Sequence, residues 1–375
     1  MGSIAPEPRA WRVLVINPGS TSTKVGLFEG DRSVFDKTVD HDAADLAAYP
    51  AISDQLPYRR ATILSALAEN GVDLDSVDAF VGRGGGLLPL EGGTYVIDDM
   101  LLADARRGAN GVQHPAQLGS QIAHELAMEA GGKPAFVVNP PDTDELCDSA
   151  RMTGVAGVYR HVHLHALNLK ETAIRHATSL GRRYEDCNFV VCHVGGGISV
   201  SAHEHGRMID GNDIVGGEGP MTPTRSGSLP VAEVLNCLDG GATVSDVRTL
   251  TLKRGGFVSL CGTSDAREVR ARAAAGDMGA KRAWEAMVYQ VCHWIGAMAC
   301  ALKGNVDGIL LGGGMAQAHQ LVDGVTESCA WIAPITVYPG EFELEAMAAG
   351  ACRVLDGVEQ ARIYTGEPVW SGFAD

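Results

Sequence analysis

Three arginines stand where a cation has little core to support and long reach toward an anion. Arg83 lies in Val81-Gly82-Arg83-Gly84-Gly85-Gly86, Arg225 in Thr222-Pro223-Thr224-Arg225-Ser226-Gly227, and Arg267 in Gly262-Thr263-Ser264-Asp265-Ala266-Arg267. A guanidinium fork among glycine, serine and threonine suits a carboxylate and a phosphate alike. For any one of them a surface ion pair is the plainer role, but three in such settings favour an oxyanion site. The chain carries 30 Lys and Arg against 46 Asp and Glu, a net charge of −16. That field repels nucleic acid, which is excluded as a partner. An anionic ligand must therefore be drawn by local cations.

Glycine-rich turns supply the other half of such a site. Asn17-Pro18-Gly19-Ser20-Thr21-Ser22-Thr23-Lys24 places small residues and hydroxyls where backbone N–H groups can face a phosphate. His193-Val194-Gly195-Gly196-Gly197 offers a second cradle with no side chains to block a phosphate chain. Gly312-Gly313-Gly314 follows a strand and could admit an adenine or ribose to bare backbone, or simply allow close packing. A Walker P-loop is absent, and G-x-G-x-x-G would need a following helix where a strand follows here. His114, His165 and His193 adjoin these segments, and an imidazole there could hydrogen-bond a transferring phosphoryl group. His161-Val162-His163-Leu164-His165 alternates as a metal site might, but no carboxylate partner is evident. It reads as a turn or helix start, with only His165 near the site.

The elements that must hold these turns are legible from periodicity. Val13-Leu14-Val15-Ile16 runs into the first turn and Val25-Gly26-Leu27-Phe28 returns from it, a β-hairpin. Phe189-Val190-Val191-Cys192 and Ile198-Ser199-Val200-Ser201-Ala202 repeat this around the second turn, near half the chain away. Two similar domains explain the repetition. Apolar spacing predicts helices over 58–70, 117–130, 166–179, 278–302 and 341–354, and strands at 79–81, 135–138 and 308–311. This alternation predicts α/β layers with mixed sheets. No low-complexity linker separates the halves, so two domains sharing a cleft are expected. They divide as 1–160, completed by a C-terminal helix from 343 to 375, and 161–342.

The 375 residues suffice for two cores. The nine cysteines contain no C-x-x-C pair, so neither a disulfide framework nor a cysteine zinc site is expected. No apolar run approaches a bilayer span, and Met1-Gly2-Ser3-Ile4-Ala5-Pro6 lacks the features of a signal peptide. A soluble cytoplasmic protein, without membrane partners and forming a homo-oligomer (dimer or higher), is the expectation.

Taken together, these segments resemble the butyrate kinases, within the acetate kinase family of the actin-like, sugar-kinase and chaperone ATPase superfamily. The similar stretches are 13–28, 81–119, 135–178, 190–265 and 305–353, most of the chain. Cys192-His193-Val194-Gly195-Gly196-Gly197-Ile198-Ser199 with Pro223-Thr224-Arg225-Ser226-Gly227 is the most specific combination. Leu164-His165-Ala166-Leu167-Asn168 and Tyr338-Pro339-Gly340-Glu341 also match.

The resemblance implies duplicated ribonuclease-H-like cores with an interdomain cleft, and ATP/ADP and Mg²⁺ as cofactors. By it, Asn17, Ser20 and Ser22 face phosphate or magnesium. Gly195, Gly196 and Gly197 form the second phosphate hairpin, and Gly312, Gly313 and Gly314 meet the adenosine. Arg83 and Arg225 hold the substrate carboxylate and the transferring phosphoryl group. His165 stabilises that group with support from His114 and His193. Asp265 and Arg267 lie near the nucleotide, and Glu341 helps place magnesium, with Glu343 as the alternative register. One departure stands out: where the family has an Asp after the strand 135–138, this chain has Asn139, with Asp142 and Asp144 following.

The implied reaction is ATP plus a short-chain carboxylic acid giving ADP plus an acyl phosphate, with butyrate foremost and acetate, propionate or branched-chain acids as alternatives. Rival readings are a nucleotide-binding member without transfer, suggested by Asn139, and an actin-like filament ATPase. The arginine set disfavours the filament.

Overall fold

The computed structural model describes residues 10–373. The opening residues Met1 to Pro6 lie outside them. Cα packing divides the chain into two compact units, residues 1–143 with 342–375, and residues 144–341.

The first unit is built on a six-stranded sheet of order β3-β2-β1-β4-β6-β5. Its strands are β1 (Arg12–Pro18), β2 (Ser22–Glu29), β3 (Arg32–Asp40), β4 (Ala79–Gly82), β5 (Thr94–Val96) and β6 (Ala135–Val138). β1, β2 and β3 form an antiparallel meander, while β4 runs parallel to β1 and β6 parallel to β4. The second unit holds β7 (Asn188–Val194), β8 (Ile198–Glu204), β9 (Arg207–Gly211), β10 (Gly308–Gly313) and β11 (Ile335–Pro339), in the order β11-β10-β7-β8-β9. Here too the first three strands form a meander and the last two add in parallel. The strand order 3-2-1-4-6 of one unit is the order 9-8-7-10-11 of the other, so the repeated hairpin is the visible edge of a duplicated sheet.

The reason for the strands is plain in β7. All seven of its residues are buried, as expected for a central strand covered on both faces. Val190, Cys192 and Val194 enter one core with the helix Met278–Ala301; Phe189 and Val191 enter another with the helix Ala166–Ser179. The helix Met278–Ala301 starts at Asp277, whose carboxylate accepts from the N–H groups of Gly279 and Ala280. In the first unit, Leu14, Ile16, Phe80 and Val137 share a core with the helices Leu56–Glu69 and Gln117–Glu129. Among the described residues no helix is long and apolar enough to cross a membrane.

Residues 144–160 belong to the second unit through specific bonds. Asp144 pairs with Arg151 through both oxygens at 2.7 and 2.8 Å, Glu145 with Lys170 at 2.9 Å, and the Cys147 N–H donates to Ile209. The closing helix is Glu343–Leu355; the chain enters it through Phe342, so Glu341 precedes the helix that periodicity started there.

Candidate active site

Each unit carries one set of the residues singled out from the sequence. In the second unit the set converges on the β7–β8 turn. The N–H of Gly195 donates to the carbonyl of Gly197 at 3.0 Å and closes it. A Cβ on Gly197 would lie 2.4 Å from Arg225 Nη1 and 2.9 Å from His165 Cε1, so only glycine lets both side chains approach. His165 stacks on His193, ring centroids 4.2 Å apart at 24°. Its Nδ1 lies 2.8 Å from Ser199 Oγ, which also accepts from the His165 backbone N–H. With the Ser199 hydroxyl donating to Nδ1, the ring proton sits on Nε2, toward the turn.

Arg225 is held at its backbone, where the N–H donates to Thr222 Oγ1 at 3.0 Å. Burial lowers its pKa while Asp213 opposes, and a guanidinium stays charged through such a shift. Its Nη1 is buried and meets no acceptor among the described residues. An unspent donor on a buried cation is costly unless a ligand takes it.

Beside this cluster is a cavity of about 390 Å³ lined by Gly195, Gly196, Asp265, Arg267, Gly314 and Glu341, among others. Its volume is in the range of small-ligand clefts. Asp265 caps the helix Ala266–Ala274 and accepts from Arg267 Nε and Nη2 at 3.1 and 2.9 Å; these bonds hold its pKa down to about 2. The three late glycines divide. Gly312 and Gly313 lie inside β10, and a Cβ on Gly313 would come 2.5 Å from the Val194 carbonyl oxygen, so Gly313 serves backbone packing. Gly314 has open space and lines the cavity. Glu341 Oε1 stands 3.9 Å from His193 Nε2. His163 does have a carboxylate partner, Asp213 at 3.4 Å, which the sequence alone did not show.

In the first unit, Arg83 follows β4 at a point where backbones interlock. A Cβ on Gly82 would strike the Gly119 carbonyl at 2.2 Å, and one on Gly119 would come 2.5 Å from the Arg83 carbonyl. The two glycines thus seat Arg83 against the helix Gln117–Glu129. Arg83 is 9% exposed and donates to the Asn139 carbonyl at 3.4 Å. Burial lowers its pKa; Glu343 and Asp142 counter this. His114 Nδ1 accepts from the Ala116 N–H at 3.1 Å, and its pKa is lowered by burial and by Arg83 and Arg59. It is therefore a neutral imidazole with its proton on Nε2.

Asn17 Nδ2 donates to Glu343 Oε2 at 2.8 Å, with Lys24 Nζ 3.9 Å from the same oxygen. The carboxylate beside Asn17 is thus Glu343, and Glu341 belongs to His193. Ser20 and Ser22 present their carbonyls to Arg59, a residue that sequence reasoning missed. Asn139 sits at φ 37°, its Oδ1 accepts from the Gly93 N–H at 2.8 Å, and its own N–H donates to Gly93 at 2.9 Å. That is the bonding of a loop residue in the left-handed region, where asparagine is favoured. Asp144, with both oxygens on Arg151, is not available to replace a magnesium carboxylate. Asp142 is buried and accepts from Asn110 Nδ2.

Comparison with known proteins agrees with this fold. The profile of the Acetokinase family matches residues 156–331. A Clostridium botulinum protein described as "Probable butyrate kinase" is 44% identical over 356 residues, 95% of this chain and all of that one. Crystal structures of Porphyromonas gingivalis acetate kinase (TM-score 0.75, 20% identity, 92% of this chain and 100% of that) and of a Francisella tularensis propionate kinase (0.70, 18%, 91% and 98%) share the two-domain actin-like ATPase fold. The chain belongs to the acetokinase family. It is a phosphotransferase acting on carboxylates, with ATP and ADP as its nucleotides.

Proposed function

We propose that this protein transfers the γ-phosphoryl group of ATP to butyrate, reversibly, giving butyryl phosphate and ADP. The observation that carries the reading is the approach of Arg225 and His165 to Gly197, with a buried guanidinium donor left for a ligand. The 44% identical relative described as a butyrate kinase supports the choice of acid.

A short-chain carboxylate is ionised at neutral pH and needs no general base. One carboxylate oxygen attacks the γ-phosphorus in line, the bond to the β-bridging oxygen breaks, and ADP leaves with the electron pair. The protein positions the groups and neutralises charge. In this reading Arg83 holds the butyrate carboxylate, and Arg225 with His165 Nε2–H meets the oxygens of the transferring group. The Gly195–Gly197 turn of the second unit and the Asn17–Ser22 turn of the first are each suited to phosphate. Gly314 and Asp265 border the nucleoside. The oxygens of Asn17 and Glu343 suit a hard cation, and would hold Mg²⁺ together with nucleotide phosphates and waters. Bound there, Mg²⁺ supplies charge neutralisation at the phosphates. In this reading Asn139, whose Oδ1 accepts from the Gly93 N–H, is a loop residue rather than a lost metal ligand.

A homo-oligomer in the cytoplasm is the state we expect. The helices Val231–Asp239 and Val244–Leu252 carry no buried residue, and Val231, Leu235 and Val244 are exposed on them.

The test is ADP release across straight and branched acids from acetate to hexanoate, with hydroxylamine trapping of the acyl phosphate. Each methylene taken into the pocket should add about 0.8 kcal/mol, nearly fourfold in affinity, until it is full. Efficiency should rise from acetate to butyrate. Nucleotide binding without acyl phosphate from any acid would sink the proposal, and efficiency highest with acetate would overturn butyrate.

A further inference from the structure

Arg59 has no exposed surface and is the largest fully buried side chain among the described residues. Its Nε donates to Gln55 Oε1 at 3.0 Å, Nη1 to the Ser22 carbonyl at 3.2 Å and to Thr23 Oγ1 at 3.0 Å, and Nη2 to the Ser20 carbonyl at 3.3 Å. Every one of these acceptors is neutral. Burial lowers its pKa, yet a guanidinium stays charged. A buried cation bonded to no carboxylate is expensive, and the cost falls when an anion comes close.

The same bonds set the shape of the β1–β2 turn. The Ser22 carbonyl also accepts from Gly19 N–H at 2.7 Å, and the Thr21 carbonyl accepts from His41 N–H at 2.9 Å. All three carbonyls of residues 20–22 are therefore claimed by the protein. In a trans peptide the N–H points opposite to the carbonyl. With the Ser20 carbonyl drawn to Arg59, the Thr21 N–H is turned away from it, and the Ser22 N–H is turned away from the His41 side. Thr23 Oγ1, an acceptor from Arg59, lies 2.8 Å from His41 Nε2 and can donate to it.

We propose that Arg59 is a positioning residue for this turn: it withdraws the carbonyls so that peptide N–H groups meet the phosphates of the nucleotide, and it places an unbalanced positive charge beneath them. This rests on the reading of the turn as a phosphate cradle. It extends that reading to a residue that touches no substrate.

The experiment compares Arg59→Met and Arg59→Lys with the wild-type protein. kcat/KM for ATP should fall at least about tenfold in Arg59→Met and less in Arg59→Lys, while KM for the carboxylic acid stays within about twofold. By calorimetry, affinity for ATP should fall while affinity for adenosine, which has no phosphate, is unchanged. That arm needs no turnover, so it decides the role of Arg59 even if the wild-type protein forms no acyl phosphate and the reaction assignment fails. In the ligand-free protein, amide hydrogen exchange over residues 17–24 should quicken in Arg59→Met. If Arg59→Met does not fold, Arg59→Lys and Thr23→Val are judged by the same ratio of ATP to adenosine binding. Unchanged ATP affinity in the folded variants, or equal losses for ATP and adenosine, overturns the proposal.

Discussion

Asn17 donates to Glu343 at 2.8 Å across 326 positions of sequence, so the first turn of the chain and its closing helix form one polar pair in the first unit. The pairing has a chemical consequence. An amide donor fixed on one carboxylate oxygen orients that carboxylate, and the remaining oxygens suit a hard cation.

Glu343→Gln should therefore raise the magnesium concentration needed for half-maximal rate several-fold, with little change in thermal stability. Glu341→Gln, on the His193 side, should change that requirement less. Magnesium titrations of initial rate in the two variants decide it. An equal or reversed effect would return the metal role to Glu341.

Arg225→Ala should lower kcat/KM by about a hundredfold or more, the scale of several kcal/mol for a preorganised donor on developing negative charge. Gly197→Ala should approach this loss, because the added methyl would lie 2.4 Å from Arg225 Nη1 and 2.9 Å from the His165 ring. Steady-state kinetics beside a thermal melt checks both. Near-wild-type rates in either folded variant would remove the β7–β8 turn from the reaction.

Much of the fold could be read from the chain because its strands and helices are strongly periodic. The helix Ala166–Ser179 falls where apolar spacing puts it, and the twin hairpins announce the duplicated sheet. Acetokinase membership was also legible, in the glycine turn after β7 and the loop around Arg225. What escaped depended on distant partners. Tyr58-Arg59-Arg60 looks like a solvated helix face, although Arg59 lies four residues before Ile63 and eight before Leu67 on the buried stripe. That spacing was the available signal. Choosing between Glu341 and Glu343 required knowing where the helix begins, a boundary periodicity places only within a few residues. Gly312 and Gly314 read alike in sequence; only the strand's end at Gly313 separates the sheet position from the cavity wall.

Acid should destabilise the protein through its buried histidines. His203 is fully buried between Tyr184 and Ser201, at 2.6 and 2.7 Å, and burial pushes its pKa well below the ordinary value near 6.5. Above that value both folded and unfolded states hold it neutral. As pH falls below it, the unfolded chain takes up the proton and the native state does not, so stability is lost at up to about 1.4 kcal/mol per pH unit until the folded pKa is reached. Thermal melts from pH 7.5 to 5.0 should show a falling Tm. His203→Gln should be less stable at pH 7.5 but have a shallower slope; an unchanged slope would assign the acid sensitivity to other groups.

The loop after β6 gives the last prediction. Asn139 Oδ1 accepts from the Gly93 N–H, and its left-handed backbone at φ 37° suits asparagine and aspartate better than alanine. Asn139→Asp keeps an acceptor in place, so magnesium dependence should change little. Asn139→Ala loses the bond and meets backbone strain, and should cost about 1–3 kcal/mol of stability with modest effect on kcat. Asp142 differs: it is buried, held by Asn110, and close enough to Arg83 to favour that side chain's charge. Asp142→Ala should lower activity about tenfold or more, because it removes one of the two carboxylates, Glu343 being the other, that support the buried Arg83 cation. Rates at varied magnesium and chemical denaturation of the three variants separate these roles. A lower magnesium requirement in Asn139→Asp would restore residue 139 to the metal site and show that the Gly93 bond gives way when the ion binds.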